Sequence, residues 1–559
     1  MTPTLVLKKK DVVASSFERW VGYALLMLTA LTFVMQTGSI AVFPIANATR
    51  WFSDETWVME EAQSQIETGV VTYPHARASS LTSAKGMLLG TPWISSVLYG
   101  LPITLSPQGS DIVLIGRVVT LVLTFLTAFL LYYFARRLGA SMILSAFGPL
   151  LMVGSRASFI TSHCARPDVL AGLVVLLVVG YFSLLRKRGF VPKSNQWWFV
   201  FGLVMMGLAW TSSIHLLTLL GPLAIFLMYS FGAFRKPGFF FGALAGALTM
   251  ALVLGGIYTL TTAHALASGN APHEVQFDKI ILQTPILRPF SRSVQVANIL
   301  IRVKLLWAEA PGVFALIIAA KLALIAACAK TRSLKFFTPT EKFLIGATIA
   351  VLLSWLFFQL ASQTYTMHVL PLIVLLMLVL LQSTLRQLPR LQRSFEMIAV
   401  LGGIIGFIFA MNDAETAKAS ATSLDRESKQ HLGEIMTRLQ ADHVGQSSSK
   451  KPLIVAETPF VHQLALDTSV SFLTDHFTGF RTTSDNFLTT MRNAGVSYIL
   501  LFNSDHYPKN RYTDDQFFKE VTDSCKRIAT ASGELFDMNY SYFDTNYRSI
   551  DSVLLYKMP

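Results

Sequence analysis

The chain has 559 residues, of which 52% are hydrophobic and only 14% charged, and its mean hydropathy is +0.50. An ordinary soluble chain carries about 25% charged residues, and the apolar runs of about 20 residues that recur here mark membrane-spanning helices, which excludes a soluble globular protein. The net charge of +13 is read as Lys and Arg flanking spans rather than as a nucleic-acid surface. Cys164, Cys328 and Cys525 are too few and too scattered for a disulfide framework or a zinc site.

The N-terminal stretch "LKKKDVVASSFERW" precedes an apolar run too long for the h-region of a signal peptide, about 7–15 residues, and is read as leading into an uncleaved first span. Spans are expected near 21–43, 112–135, 141–157, 168–185, 197–212, 214–231, 238–262, 311–329, 343–360, 367–385 and 395–411. This arrangement of about eleven spans puts every basic cluster on one side: Lys8 to Lys10 with Arg19, Arg136-Arg137, Arg186 to Arg188, Arg235-Lys236, Lys330 with Arg332 and Lys335, and Arg386 with Arg390 and Arg393. By the positive-inside rule that side is cytoplasmic. The external side then receives a long first loop at about 44–111, a short second loop at about 158–167 and a third at about 263–310. The apolar piece "GMLLGTPWISSVLYGLPITL" in the first loop is expected to lie in, or dip into, the interface.

After the spans the composition changes. Residues 1–411 form the membrane domain, and 412–559 are expected to form an extracytoplasmic α/β domain. Short apolar runs at 452–457, 470–474, 496–503 and 552–558 read as strands, separated by helical patterns at 484–494 and 514–530. The fold class is therefore a multipass α-helical membrane protein with a C-terminal soluble α/β domain.

Charged and polar groups near lipid are costly and ask for a reason. The external side collects Asp54, Glu55, Lys85, Arg117, Arg156, His163, Arg166, Asp168, Tyr365 and His368. Asp54 and Glu55 are adjacent, about 100° apart on a helix, so they are not a carboxylate dyad sharing one proton. One of them can meet a substrate while the other makes a supporting contact. Equally, Ser53 or Asp54 can cap a helix through "ETWVMEEAQSQIETG", with acids favouring its dipole. Glu60 and Glu61 then read as the solvated face of that helix. Asp168 follows Pro167 and suits a helix N-terminus. Arg166, with Arg156, suits a phosphate at the membrane surface, or lipid headgroups. Lys85 and the third-loop cations Arg288, Arg292, Arg302 and Lys304 carry the same two readings. No His/Cys/Asp spacing signals a metal and there is no phosphate-binding Gly-rich loop.

The order of these features resembles the GT-C superfamily of membrane glycosyltransferases that use polyprenyl-phosphate sugars. It is most similar to the bacterial branch of aminoarabinose transferases and relatives of protein O-mannosyltransferases. The resembling features are the first span followed by Asp54-Glu55, then Lys85-Gly86, "GRVVTLVLTFLTAFLLYYFARRLGA", "SRASFITSHCARPDVLAGL" and "YTMHVLPLIVLL". Where relatives often carry Lys-Pro-Pro, this chain has Lys85-Gly86-Met87. The resemblance implies inverting transfer of a sugar from a polyprenyl-phosphate donor to a lipid, protein or glycan acceptor. It implies Asp54 as general base and Glu55 as its support or the acceptor's. Arg166, Arg156 and Lys85 would hold the donor phosphate, and Asp168, His163, Tyr365 and His368 would line the site. It implies no cofactor, with a divalent metal left open, no nucleic acid, and a bacterial inner membrane or alternatively an ER membrane. Two other classes compete: a lipid-linked sugar transporter or flippase, which would want broken helices, and an inactive scaffold for envelope-polysaccharide assembly.

Overall fold

The computed structural model describes residues 16–39, 58–59, 61–67, 72–73, 87–88, 93–107, 111–211, 214–267, 292–332, 336–358, 363–444, 451–456, 470–474, 487–493, 495–503, 521–532 and 552–559. Asp54, Glu55 and Lys85 lie outside them. The protein is a multipass helical membrane protein. Among the described residues seven helices are long and apolar enough to cross a bilayer.

The first helix, α1 (Ser16–Ser39), is followed by α2, described at 58–59 and 61–67, the short pair β1 (Thr72–Tyr73) and β2 (Met87–Leu88), and α3 (Trp93–Thr104). At 12 residues, or about 18 Å of helix, α3 is too short to cross a hydrocarbon core of about 30 Å. It packs on α4 (Ile112–Leu138). Asp111 caps α4 by accepting from the Val113 and Leu114 N–H groups at 2.9 and 3.2 Å, and Gly139 ends it at φ 106, a left-handed conformation suited to glycine.

The expected span 141–157 is broken. Helix α5 (Met142–Val153) stops at Gly154, and α6 (Arg156–Ser162) departs at 59°. Ser155 turns extended between them and caps α6, its hydroxyl accepting from Ser158 N–H at 3.1 Å. The first half of the stretch expected as an external loop at 158–167 is consequently helix, and residues 156–166 are buried. The chain continues through α7 (Asp168–Lys187), α8 (Asn195–Ala209), α9 (Ile214–Phe231) and α10 (Pro237–Ala267). Then come α11 (Arg292–Glu309), α12 (Pro311–Thr331), α13 (Pro339–Phe358), the single turn α14 (Gln363–Thr366) and α15 (Leu370–Leu385). Helix α11 occupies part of the stretch expected as the third loop.

Among the described residues, basic side chains gather at one end of the bundle, where they meet the carbonyls of helix C-termini. Lys187 Nζ donates to Arg137 O at 2.6 Å, Arg386 to Gly139 O at 2.8 Å, and Lys330 Nζ to Gln387 O at 2.7 Å. Glu341, buried at the start of α13, forms a capping box with Thr338: its carboxylate accepts from Thr338 N–H at 2.7 Å, and Glu341 N–H donates to Thr338 Oγ1 at 3.3 Å. Its other oxygen accepts from Ser383 Oγ.

Helix α16 (Gln392–Val444) starts at this basic end and runs for 53 residues, about 80 Å. Its first part is apolar enough to span; its last part packs on a five-stranded sheet. The sheet comprises β3 (Leu453–Ala456), β4 (Ser471–Thr474), β5 (Tyr498–Asn503), β6 (Lys526–Ser532) and β7 (Ser552–Lys557) in the order β4-β3-β5-β7-β6. Strands β4, β3 and β5 are parallel; β7 is antiparallel to β5 and β6. Helix α17 (Phe487–Asn493) covers it with Leu488 and Met491, packed with Val455, Ile499 and Leu501. Strand β6 replaces the second half of the helix expected at 514–530. "KRIATAS" has little apolar periodicity of its own and is held at the sheet edge by β7 through a bulge between Arg527 and Ala529.

Asp442, near the end of α16, ties helix to sheet. Its carboxylate accepts from Lys557 Nζ at 2.7 Å and from Tyr498 Oη at 2.9 Å. The Lys557 ammonium, and then the Tyr498 hydroxyl, hold this carboxyl below the usual carboxylate range. The group's contribution to stability is therefore present above its unfolded pKa of about 4 and is lost as pH falls through its lower folded value. Replacement by Asn should cost about 1 kcal/mol or less, since the pair is partly solvated. Hydrogen exchange should show faster opening of the β7 amides in Asp442→Asn at pH 7, with the difference from wild type lost as pH falls through the lowered folded pKa of Asp442.

Candidate functional site

At the end of the bundle away from the basic clusters, polar groups from several elements converge below the surface. The turn between α6 and α7 brings in Arg166, and Asp168 opens α7. Pro167 is the N-cap and makes no side-chain cap bond, so the Asp168 carboxylate is used elsewhere. Arg166 Nε donates to Asp168 Oδ2 at 2.9 Å, and His368 Nε2 stands 3.0 Å from Oδ1. An ionised carboxylate only accepts, so Nε2 of His368 carries the proton in this bond. The three residues are 8%, 4% and 1% exposed. A buried charge needs such partners because an isolated one is expensive to desolvate.

His368 is held by close backbone approach. It lies in the turn between α14 and α15, and that turn touches α7 at Gly172, one helical turn below Asp168. A Cβ on Gly172 would collide with the Met367 carbonyl oxygen. The Tyr365 ring stacks on the His368 ring, centroids 5.1 Å apart and planes 29° apart. Tyr365 O accepts from Trp355 Nε1 at 3.0 Å. The Arg302 guanidinium lies over the Trp355 ring at 4.6 Å, a cation–π contact. Arg302 is 1% exposed, and burial lowers its pKa to about 10, which leaves it charged at neutral pH.

On the other flank, Tyr99 Oη donates to Arg166 O at 2.6 Å and stands 3.0 Å from Thr120 Oγ1. Helix α2 wedges beside it. Gly116 of α4 faces Met59 of α2 and Ala165 so closely that a Cβ there would collide with both. Arg117 and Arg156 are buried as well. His163 turns onto its own helix: Nδ1 is 2.7 Å from Phe159 O and 3.2 Å from Ser162 Oγ, and its ring packs on Phe159.

Of the residues singled out from sequence, Arg166, Asp168, Tyr365 and His368 come together in one chain of contacts. Arg156 and His163 lie on α6 beside it. Glu61, expected on a solvated face, is instead fully buried and accepts from Ser96 Oγ at 3.5 Å. The reason is that α2 is packed between α3 and α4 instead of lying open at the membrane surface. Sequence reading passed over Tyr99 and Trp355, which carry no local signal. It left Arg302 among loop cations, although an arginine among the apolar residues of "NILIRVKLLW" asks for a buried partner. Among the described residues no group of three or more His, Cys, Asp or Glu is arranged to hold a metal ion.

Asp168→Asn should leave the buried Arg166 without its charge partner, at a cost of about 3–5 kcal/mol. Gly172→Leu should separate His368 from Asp168 by pushing the 367–369 turn outward. Thermal unfolding in detergent should show both variants melting well below wild type, and His368→Gln, which keeps a donor toward Asp168, melting closer to it.

No protein-family model matches the sequence, and no curated protein does. Solved structures do. ArnT from Cupriavidus metallidurans in the apo state aligns with a TM-score of 0.54 at 14% identity, covering 97% of this chain and 98% of that one. The same protein bound to undecaprenyl phosphate aligns with 0.51 at 13%, covering 95% and 97%. The archaeal oligosaccharyltransferase AglB from Archaeoglobus fulgidus, in complex with an inhibitory peptide and a dolichol-phosphate, aligns with 0.46 at 10%, covering 87% and 70%. Over nearly its whole length, the chain has the fold of ArnT.

Proposed function

We propose that this chain is an inverting glycosyltransferase that moves a sugar from a polyprenyl-phosphate donor to an acceptor hydroxyl. The observation that carries the reading is the buried Arg166–Asp168–His368 cluster, at the end of the bundle opposite the basic clusters, in a fold like that of an ArnT crystallised with undecaprenyl phosphate. The positive-inside rule assigns the basic end to the cytoplasm, so the site faces outward across a bacterial inner membrane. The C-terminal sheet, reached by α16 from the basic end, is the extracytoplasmic domain on the same side as the site.

Arg166 holds the donor phosphate, its Nε kept on Asp168 so that its terminal nitrogens point to the ligand. Arg302, Arg156 and Lys85 add positive charge, and Tyr365 and His368 keep the Asp168 side in place. Asp54 takes the proton from the acceptor hydroxyl as its oxygen attacks the anomeric carbon. The bond from that carbon to the phosphate oxygen breaks, and the polyprenyl phosphate leaves with the electron pair, its new charge met by Arg166. Glu55 orients the acceptor or Asp54. Met59, packed on Gly116 beside Ala165, supports a place for Asp54 in this step, since the chain between Asp54 and Met59 reaches at most about 18 Å.

The break between α5 and α6 is the one feature that favours a transporter of lipid-linked sugar. Membranes supplied with a polyprenyl-phosphate sugar separate the two. Asp54→Asn should lower transfer at least about a hundredfold while donor binding changes little. Unchanged transfer would remove Asp54 from the chemistry, and sugar-lipid export without a new glycosidic bond would support the transporter.

A further inference from the structure

A second buried polar group adjoins the Arg166 cluster, and the step above leaves it unused. Glu61 and Gln65 of α2 are 0% and 6% exposed, and Ser96 of α3 is 3% exposed. Ser96 Oγ donates to Glu61 Oε1 at 3.5 Å. Gln65 lies one helical turn beyond Glu61, so the two side chains are neighbours on one face. Neither the oxygen nor the nitrogen of the Gln65 amide has a hydrogen-bond partner among the described residues. One turn along α3 from Ser96, Tyr99 donates to Arg166 O. A polar row therefore runs from Gln65 and Glu61 through Ser96 to Tyr99 and the backbone of Arg166.

An amide buried without a partner is costly, and more so in a chain this apolar. Helix α2 has apolar groups available for pure packing, and Met59 and Ala62 are fully buried on it. The Gln65 amide needs another explanation. The chemistry of Glu61, Gln65 and Ser96 selects the ligand class. A carboxylate accepts from hydroxyls, an amide donates and accepts, and a serine does both. A phosphate would be repelled by Glu61, and an acyl chain would satisfy none of the three.

We propose that Glu61, Gln65 and Ser96 bind the hydroxyl groups of the donor's sugar ring, next to the phosphate held at Arg166. The inference rests on the glycosyltransferase reading and gives that site its sugar-recognition side. Full-length protein in lipid nanodiscs is titrated with undecaprenyl phosphate and with polyprenyl-phosphate mannose, glucose and arabinose. Wild type should prefer at least one sugar-bearing lipid over the bare lipid by about tenfold or more, the scale of one or two hydrogen bonds to a charged group. Glu61→Gln and Gln65→Leu should erase most of that preference and leave affinity for the bare lipid within about twofold. Gln65→Leu removes an unpartnered amide, so misfolding is not its expected effect. Preference unchanged in both variants, or no preference in a wild type that binds the bare lipid, overturns the sugar site alone. A wild type that binds none of the lipids overturns the glycosyltransferase reading and this inference with it.

Discussion

The Asp168 carboxylate, shared between Arg166 Nε and His368 Nε2, is the contact on which the site end of the bundle depends. It joins the α6–α7 connection to the turn before α15, 200 residues away in sequence. All three side chains are nearly inaccessible to water, so each charge or dipole is compensated by the others. From this centre the contacts spread outward, through Tyr365 and Trp355 to Arg302 on one flank and through Tyr99 to α3 and α4 on the other. Losing the carboxylate would remove the contact that orients Arg166 Nε.

The opposite end is organised by a different rule. There Lys187, Lys330 and Arg386 meet carbonyls where the helix ladders have run out, and charge complements helix dipoles. These groups are partly solvated and contribute solubility and orientation more than a site. The contrast between the two ends is physical: cations at the basic end bind the protein's own carbonyls in contact with water, whereas those at the site end are buried with an acid, an imidazole and aromatic rings. A buried concentration of guanidinium groups suits an anionic ligand.

Much of this was legible in the sequence because the signals are local. Apolar runs marked the long helices, and basic residues that the sequence grouped together meet at one end of the bundle. Arg166, Asp168, Tyr365 and His368 stood out as polar groups at span ends. What was not legible depends on contacts between distant segments. The break at Gly154 and Ser155 falls inside the stretch 141–157 expected as one span, and the burial of α6 against its neighbours fixes it. Glu61 reads as solvated in "MEEA" until α3 and α4 close over it. Strand β6 exists because β7 offers it a partner, and Trp355 joins the site only because its indole reaches the Tyr365 carbonyl. Asp54, Glu55 and Lys85 lie outside the described residues.

The central claim is that Arg166, oriented by Asp168, receives the phosphate of a polyprenyl lipid. Cryo-electron microscopy of the full chain in nanodiscs with undecaprenyl phosphate tests it most directly. The account predicts phosphate density within hydrogen-bond distance of the terminal nitrogens of Arg166, with the contact from its Nε to Asp168 retained. Phosphate density at the basic end beside Lys187 and Arg386, or none near Arg166 at saturating lipid, would contradict it.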